Sequence, residues 1–292
     1  MGVDKDIERR CAFIAGRLRV ELRGGLGNQL FTWASGLGIA RSAGLPICLS
    51  ESQLRGSVEE LLKLGITAPF CRECKASDLW RRSTRLSKLK SLIQIGEVVE
   101  EMSFRFDPSL FRVSKLQTVR GYLQSWKYFE HVRSEIIRQA SWVRQPSADF
   151  KRLRELVAED SAIAVHVRGG DYRKHPTTFV DLDSTYYTRA LDLVDKNWRT
   201  QTIIGFSDDV EFAQMKLPFV NNWIGPRDLP SSAETLILMS SARALVGANS
   251  TFSWWAGYLM CAAGSQTIFP KKWFFADYLT EEDLMPPDFT VI

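Results

Sequence analysis

No apolar run in these 292 residues approaches the roughly 18 needed to span a bilayer, so no membrane-crossing helix is expected. The opening residues, Met1-Gly-Val-Asp-Lys-Asp-Ile-Glu-Arg-Arg10, are too charged for a secretory signal, and the chain is expected to be cytoplasmic. Cysteine is sparse. Cys11, Cys48, Cys71, Cys74 and Cys261 are odd in number and scattered, which fits reduced thiols better than a disulfide framework. Cys71-Arg-Glu-Cys74 has no second pair, and His131, His166 and His175 are the only histidines, so a zinc site is not expected. Strong charge of either sign is missing as well. Thirty-eight Lys and Arg against 34 Asp and Glu leave a net of +4, too mild to argue for nucleic acid as a partner.

What is present describes an ordinary folded protein. Hydrophobic residues make up 45% and charged residues 25%, which leaves no case for disorder. A chain of this length sits near the size at which single cores split. Pro146 to Asp149 is the candidate boundary, giving domains of 1–148 and 149–292.

In the N-terminal half, Leu18 to Leu22 alternates apolar and polar residues as a strand does. Arg23-Gly-Gly-Leu-Gly-Asn-Gln29 follows as a glycine loop, then a helical run from Leu30 to Ala43 with Leu30, Ala34 and Leu37 on one face. Gly24, Gly25 and Gly27 allow close approach of a ligand, and a helix N-terminus favours an anion. No Gly-Lys-Ser/Thr follows, which excludes a Walker loop. A dinucleotide site remains open, with Glu51 at the spacing of a ribose-binding acid, although Leu30 replaces the third glycine. The alternatives are a loop facing a substrate across a cleft through Asn28 and Gln29, or a plain turn. Ser57 to Leu64 reads as a short helix. Trp80 to Lys90 carries five basic residues and no acid; it is either a solvated face or, from Arg81 to Lys90, a peripheral contact with anionic lipid at the inner membrane face or with a pyrophosphate-linked acceptor. Val119 to Phe129 reads as a strand turning into an aromatic loop, and Glu130 to Ala140 as a helix.

After a helix from Phe150 to Ala158, strands and helices alternate. Strands are expected at Ile163–Val167, Thr202–Phe206, Ala244–Ala248 and Gln266–Pro270, with helices from Asp183 or Ser184 to Asn197, Glu234 to Ala242 and Phe252 to Ala262. This rhythm predicts a parallel, doubly wound α/β sheet. Three consecutive strands end in polar loops: His166 to Asp171, Ser207 to Asp209, and Asn249 to Thr251. In a parallel sheet these emerge on one side and can line one pocket. Arg168 suits phosphate oxygens, Ser250 and Thr251 open a helix, and Asp208 or Asp209 can accept from a base or ribose. A nucleoside diphosphate matches all three sets. The plainer readings are that Arg168 pairs with Asp171, that Ser250, Thr251 and the two aspartates are helix caps, and that Trp254, Trp255 and Tyr258 are core aromatics. Asp181-Leu-Asp183 reads better as a helix cap than as a metal site.

Gly24-Gly-Leu-Gly-Asn-Gln-Leu-Phe31, His166-Val-Arg-Gly-Gly-Asp-Tyr172, Phe206-Ser-Asp-Asp209 and Asn249-Ser-Thr-Phe-Ser-Trp-Trp255 together resemble glycosyltransferase family 11, the GDP-fucose-dependent α-1,2-fucosyltransferases. The resemblance implies a GT-B-like fold, two Rossmann-type domains facing a cleft. The N-terminal half then serves the acceptor, a galactose-containing oligosaccharide or lipid-linked glycan, and the C-terminal half holds GDP-fucose. It implies an inverting galactoside α-1,2-fucosyltransferase of carbohydrate metabolism, with no cofactor or metal required. By position, Arg168 holds the β-phosphate, and His166 with an acid of Asp208-Asp209 meets the nucleoside. Ser207 and Asn249 lie in the same donor stretches, Ser250 and Thr251 take the phosphates, and Asn28 faces the reacting sugar. Asp171 is the nearest carboxylate to nominate as base, or it orients Arg168. The family's usual His-x-Arg-Arg-x-Asp has Gly169 in place of the second arginine, for which Arg173 or Arg23 would have to substitute. The rivals are a GT-B transferase with another sugar nucleotide or linkage, a nicotinamide-dependent oxidoreductase, and a non-catalytic nucleotide- or glycan-binding module.

Overall fold

A computed structural model describes residues 16–52, 54, 56–70, 98–114, 117–159, 162–170, 177–261, 264–276 and 278–292. The chain divides into two compact units, the first from Met1–Val58 and Thr67–Ser134, the second from Glu59–Ile66 and Glu135–Ile292. The basic run Arg81–Lys90, Asp171 and Arg173 lie outside the described residues.

The first unit is built on four parallel strands: β1 Leu18–Glu21, β2 Ile47–Ser50, β3 Val98–Glu100 and β4 Thr118–Arg120, in the order β2-β1-β4-β3. Helix α1, Leu26–Ser42, lies against β1 and is buried along most of its length, as Phe31, Trp33, Ala34 and Leu37 require. Its close approach depends on Gly36, where a Cβ would stand 2.4 Å from Val20 Cγ2. The helix begins earlier than the hydrophobic period suggests. Gly25 is its N-cap in extended conformation, so Gly27, Asn28 and Gln29 belong to the first helical turn and not to a loop. The Gln29 side chain replaces the missing loop hydrogen bonds by donating to the carbonyls of Gly24 (3.0 Å) and Ser57 (3.1 Å). Cys48, on β2, is disulfide-bonded, contrary to the expectation of reduced thiols; Cys261 keeps its thiol, with Sγ 3.3 Å from Thr267 Oγ1.

The second unit holds a six-stranded parallel sheet: β5 Ile163–Val167, β6 Ile203–Ser207, β7 Asn222–Ile224, β8 Ala244–Val246, β9 Gln266–Phe269 and β10 Thr290–Val291. Their order is β10-β9-β8-β5-β6-β7. The helices are α2 Glu59–Lys63, α3 Arg133–Ala140, α4 Ala148–Glu159, α5 Ser184–Val194, α6 Val210–Lys216, α7 Ser232–Met239 and α8 Thr251–Cys261; α3 starts just before the boundary of the unit. Strands β5, β6 and β8 are buried at every residue, which is why they read as continuous apolar runs and not as alternations. Val165, Val167, Leu191, Trp198, Val246 and Ile268 share one core. Trp254, Trp255 and Tyr258 of α8 are core aromatics, with the Trp254 and Tyr258 rings stacked 5.1 Å apart.

Helix α2 is short, and its length is secured by tertiary bonds. The Glu60 Oε2 accepts from Ser231 Oγ (2.7 Å) and from the Ala233 N–H (2.8 Å), capping α7, while Leu61 is fully buried. Among the described residues no helix is long and apolar enough to cross a membrane.

Candidate functional site

Both sheets reverse direction at a definite place. In the second unit the chain steps from β5 outward to β6 and β7, then returns to lay β8, β9 and β10 on the other side of β5. The crevice beyond the carboxyl ends of β5 and β8 is therefore a topological switch point, where such sheets bind ligands. His166 and Arg168 stand at the end of β5, Asn249 to Thr251 follow β8, and Ser207 to Asp209 close the adjacent β6. The fold brings all of these expected residues to one edge.

Their bonding is specific. Arg168 Nη1 lies 3.0 Å from Asp208 Oδ2, and Asp208 Oδ1 accepts from the Gly169 N–H at 2.9 Å. The carboxylate is wrapped by the backbone of Arg168–Gly170, and it comes so close that a Cβ on Gly170 would lie 2.8 Å from its Oδ2. Asp209 acts differently, capping α6 by accepting from the Phe212 N–H at 3.1 Å. Ser207 Oγ is turned inward, accepting from Asp209 N and donating to Asp209 O, both at 3.0 Å. Asn249 pins the site from behind, its Nδ2 donating to the carbonyls of Val180 and Trp273 at 2.8 and 3.1 Å. Ser250 Oγ accepts from the Phe252 N–H at 3.3 Å at the start of α8. The N-terminus of α8 suits an anion, through the dipole of an 11-residue helix.

His166 is buried, its Nδ1 has no hydrogen-bond partner among the described residues, and its ring lies 5.8 Å from that of Phe252. Burial, reinforced by the Arg168 guanidinium against the opposing pull of Asp208, holds its imidazole down at about 3, so it is neutral at working pH. The ring borders a cavity of about 110 Å³ whose walls include Phe206, Asp208, Ile224, Leu229 and Phe252. Apolar walls with one neutral imidazole and one carboxylate at the rim suit a planar heterocycle. Asp183 caps α5 through the Tyr186 N–H, and Asp181 pairs with Lys216, so the D-x-D is engaged in the scaffold.

The first unit has its own switch point, between β1 and β4. Gly24, with a φ of +65°, and Gly25 are exposed at the end of β1, and a Cβ on Gly24 would meet Asn28 Nδ2 at 2.6 Å. Asn28 Oδ1 accepts from Gln124 Nε2 at 2.9 Å, across from the loop after β4. Buried Glu21 is paired with Arg120 at 2.7 Å. Neither Gln124 nor Arg120 stands out in the sequence, because each acquires its meaning only when β4 is laid beside β1. Glu51, the ribose acid of the dinucleotide reading, is exposed on the loop after β2.

Comparison with known proteins gives the family and the fold. The family model described as Glycosyl transferase family 11 matches residues 84–292. An Escherichia coli α-1,2-colitosyltransferase is 27% identical over 285 residues, covering 91% of this chain and 95% of that protein. The Sus scrofa galactoside α-(1,2)-fucosyltransferase 2 is 25% identical over 280 residues, 90% of this chain and 75% of its own. Among solved structures, a mutant of Arabidopsis thaliana FUT1 in complex with GDP superposes with a TM-score of 0.51 at 12% identity, over 97% of this chain and 77% of that one, a likeness of fold.

Proposed function

The chain belongs to glycosyl transferase family 11, and from that premise we propose that it is an inverting α-1,2-fucosyltransferase, moving L-fucose from GDP-fucose to the 2-hydroxyl of a β-galactosyl acceptor. The observation that carries this reading is the pairing, at one switch point, of a guanidinium at the end of β5 with the N-terminus of α8. A diphosphate leaves readily when its growing negative charge meets fixed positive charge, and these two groups supply it without rearrangement. Arg168 holds the β-phosphate. Asp208 keeps the guanidinium aimed, and the hydrophobic cavity beside His166 takes the base. Ser250 and Thr251 present α8 to the phosphates, while Ser207, Asp209 and Asn249 hold the walls of the site. With that charge in place the transfer needs no divalent cation, and EDTA should leave the rate unchanged.

In the first unit, Gly24, Gly25 and the first turn of α1 with Gly27, Asn28 and Gln29 serve the acceptor side, with Asn28 toward the reacting sugar. The basic run Arg81–Lys90 brings the protein to a lipid-linked acceptor at the cytoplasmic membrane face; salt-sensitive binding to anionic vesicles tests this.

The α-1,2 linkage is common to the names of both long matches, whereas the sugar is not. A second reading, transfer of a different deoxy sugar, rests on the colitosyltransferase likeness over 95% of that protein. A panel of nucleotide sugars with galactose-terminated acceptors, read by mass spectrometry and linkage analysis, decides. Consumption of another donor in preference to GDP-fucose overturns the fucosyl assignment, and absence of any transfer with retained GDP binding favours a binding module.

A further inference from the structure

The amino edge of the second sheet, opposite the edge that carries Arg168 and Asp208, has a separate cavity of about 340 Å³. Its lining includes Trp198, Arg199 and Gln201 before β6, and Phe219, Asn221 and Asn222 at the entry to β7. Strand β6 runs from this cavity to Ser207 of the donor crevice, four residue steps of about 3.3 Å, or roughly 13 Å. The volume falls in the range of small-molecule sites, about 300–1,000 Å³.

The aromatic part of the lining is fixed. Trp198 is buried in a single helical turn, Trp198–Thr200; its indole N–H donates to Asp192 Oδ1 at 2.8 Å, and its ring lies 5.1 Å from that of Phe219. Arg199 Cζ stands 4.2 Å over the same ring, so the indole holds the guanidinium in place without any acid. The polar part is unspent. Among the described residues the side chains of Arg199, Gln201, Asn221 and Asn222 make no hydrogen bond and no ion pair. A lone exposed amide is ordinarily left to water, but here three carboxamides and a guanidinium line one concavity, and no carboxylate lines it with them.

Each carboxamide offers a donor and an acceptor side by side, and a guanidinium offers paired N–H groups. Vicinal hydroxyls on a sugar ring call for that combination, since each gives one hydrogen bond and takes another on neighbouring atoms. A lone phosphate or carboxylate would leave the amide oxygens idle, and an apolar ligand would strand all four groups. We propose that this cavity is a second saccharide-binding site, which holds a sugar unit of the acceptor glycan other than the one that reacts. The identity of the ligand rests on the fucosyltransferase reading. No bond is made or broken here; the gain is one of effective concentration. A glycan held by one sugar presents its remaining sugars to the enzyme at raised local concentration, whereas a disaccharide has no further sugar to offer.

The test uses the full chain, isotope-labelled for nuclear magnetic resonance, with a galactose-terminated oligosaccharide as the probe and no donor present. Expected are concentration-dependent shifts of the side-chain amide signals of Gln201, Asn221 and Asn222, lost in Arg199→Ala. In steady-state transfer, Arg199→Ala and Asn221→Ala should each raise the KM for the oligosaccharide about tenfold or more. Their kcat, their KM for a galactosyl disaccharide and their GDP affinity should match the wild type. Asn221 is exposed and outside the strands, so its variant decides the matter if losing the Arg199–Trp198 contact unfolds the other. Silent amide signals at millimolar oligosaccharide overturn the proposal, as do KM changes equal for both acceptors. Shifts produced by inorganic phosphate and not by the saccharide overturn it in favour of an anion site. A wild type whose amides respond but which transfers no sugar defeats the functional reading and leaves the saccharide site standing; an active wild type with silent amides removes this site alone.

Discussion

Restoring the family's second arginine at position 169 should harm this protein. On charge alone the substitution Gly169→Arg looks favourable, since another guanidinium beside Arg168 would gain on the order of tenfold, about 1.4 kcal/mol, in diphosphate affinity. The structure forbids it. Gly169 is buried, and a Cβ there would lie 2.9 Å from both Asp209 Cβ and Phe212 Cδ1, closer than carbon atoms pack. Both belong to the start of α6, whose N-cap is Asp209 and which directly follows Asp208. Room can be made only by pushing that turn outward, and Asp208 goes with it, away from Arg168 Nη1 and the Gly169 N–H. Overpacking of this kind costs about 1–3 kcal/mol, at roughly 2–4 °C of melting temperature per kcal/mol in a unit of this size. Scanning fluorimetry on Gly169→Ala and Gly169→Arg reads the steric part, and calorimetry with GDP reads the displaced aspartate. In a Phe212→Ala background the cost of Gly169→Ala should shrink, because the two sites share the contact. A Gly169→Arg protein that melts like the wild type and binds GDP more tightly would refute the reasoning.

Arg168→Ala should lower transfer by about 10²–10³-fold with the far-ultraviolet circular dichroism unchanged; near-normal turnover would remove the phosphate-clamp assignment. For His166, the folded value near 3 lies below the ordinary 6.5, so the unfolded chain binds the extra proton and stability falls as pH drops from about 6.5. The wild type should therefore lose melting temperature between pH 7 and 5 more steeply than His166→Gln, and equal slopes would contradict a buried neutral imidazole.

Much of the second unit was legible because its strands are buried on both faces. Ile163–Val167 is bounded by its own β-branched run; Thr202–Phe206 lies one residue early at both ends of β6, and Gln266–Pro270 runs one residue past β9. Strands β7 and β10 are two or three residues long and carry no period to read. The start of α1 was hidden because three glycines suggest a loop, whereas a backbone N-cap at Gly25 begins the helix without any capping side chain. The polar strand ends were legible as a set, but their division of labour was not. Asp208 and Asp209 are adjacent and chemically identical, and only the turn after β6 sends one to Arg168 and the other to cap α6.

The bond from Glu60 to Ser231 has a bearing on how the chain is made. It spans 171 residues, so at ribosomal speeds roughly ten to thirty seconds separate the synthesis of its two ends. Throughout that interval α2 has its apolar Leu61 ready but no α7 to receive it, while everything needed for the first sheet has already emerged by Arg120. The nascent first unit must close with residues 59–66 looped out and waiting. A ribosome stalled, or a gene cut, anywhere from residue 121 to 230 therefore leaves α2 without α7 while all four strands of the first sheet are already made, a point of weakness for any attempt to express the halves separately.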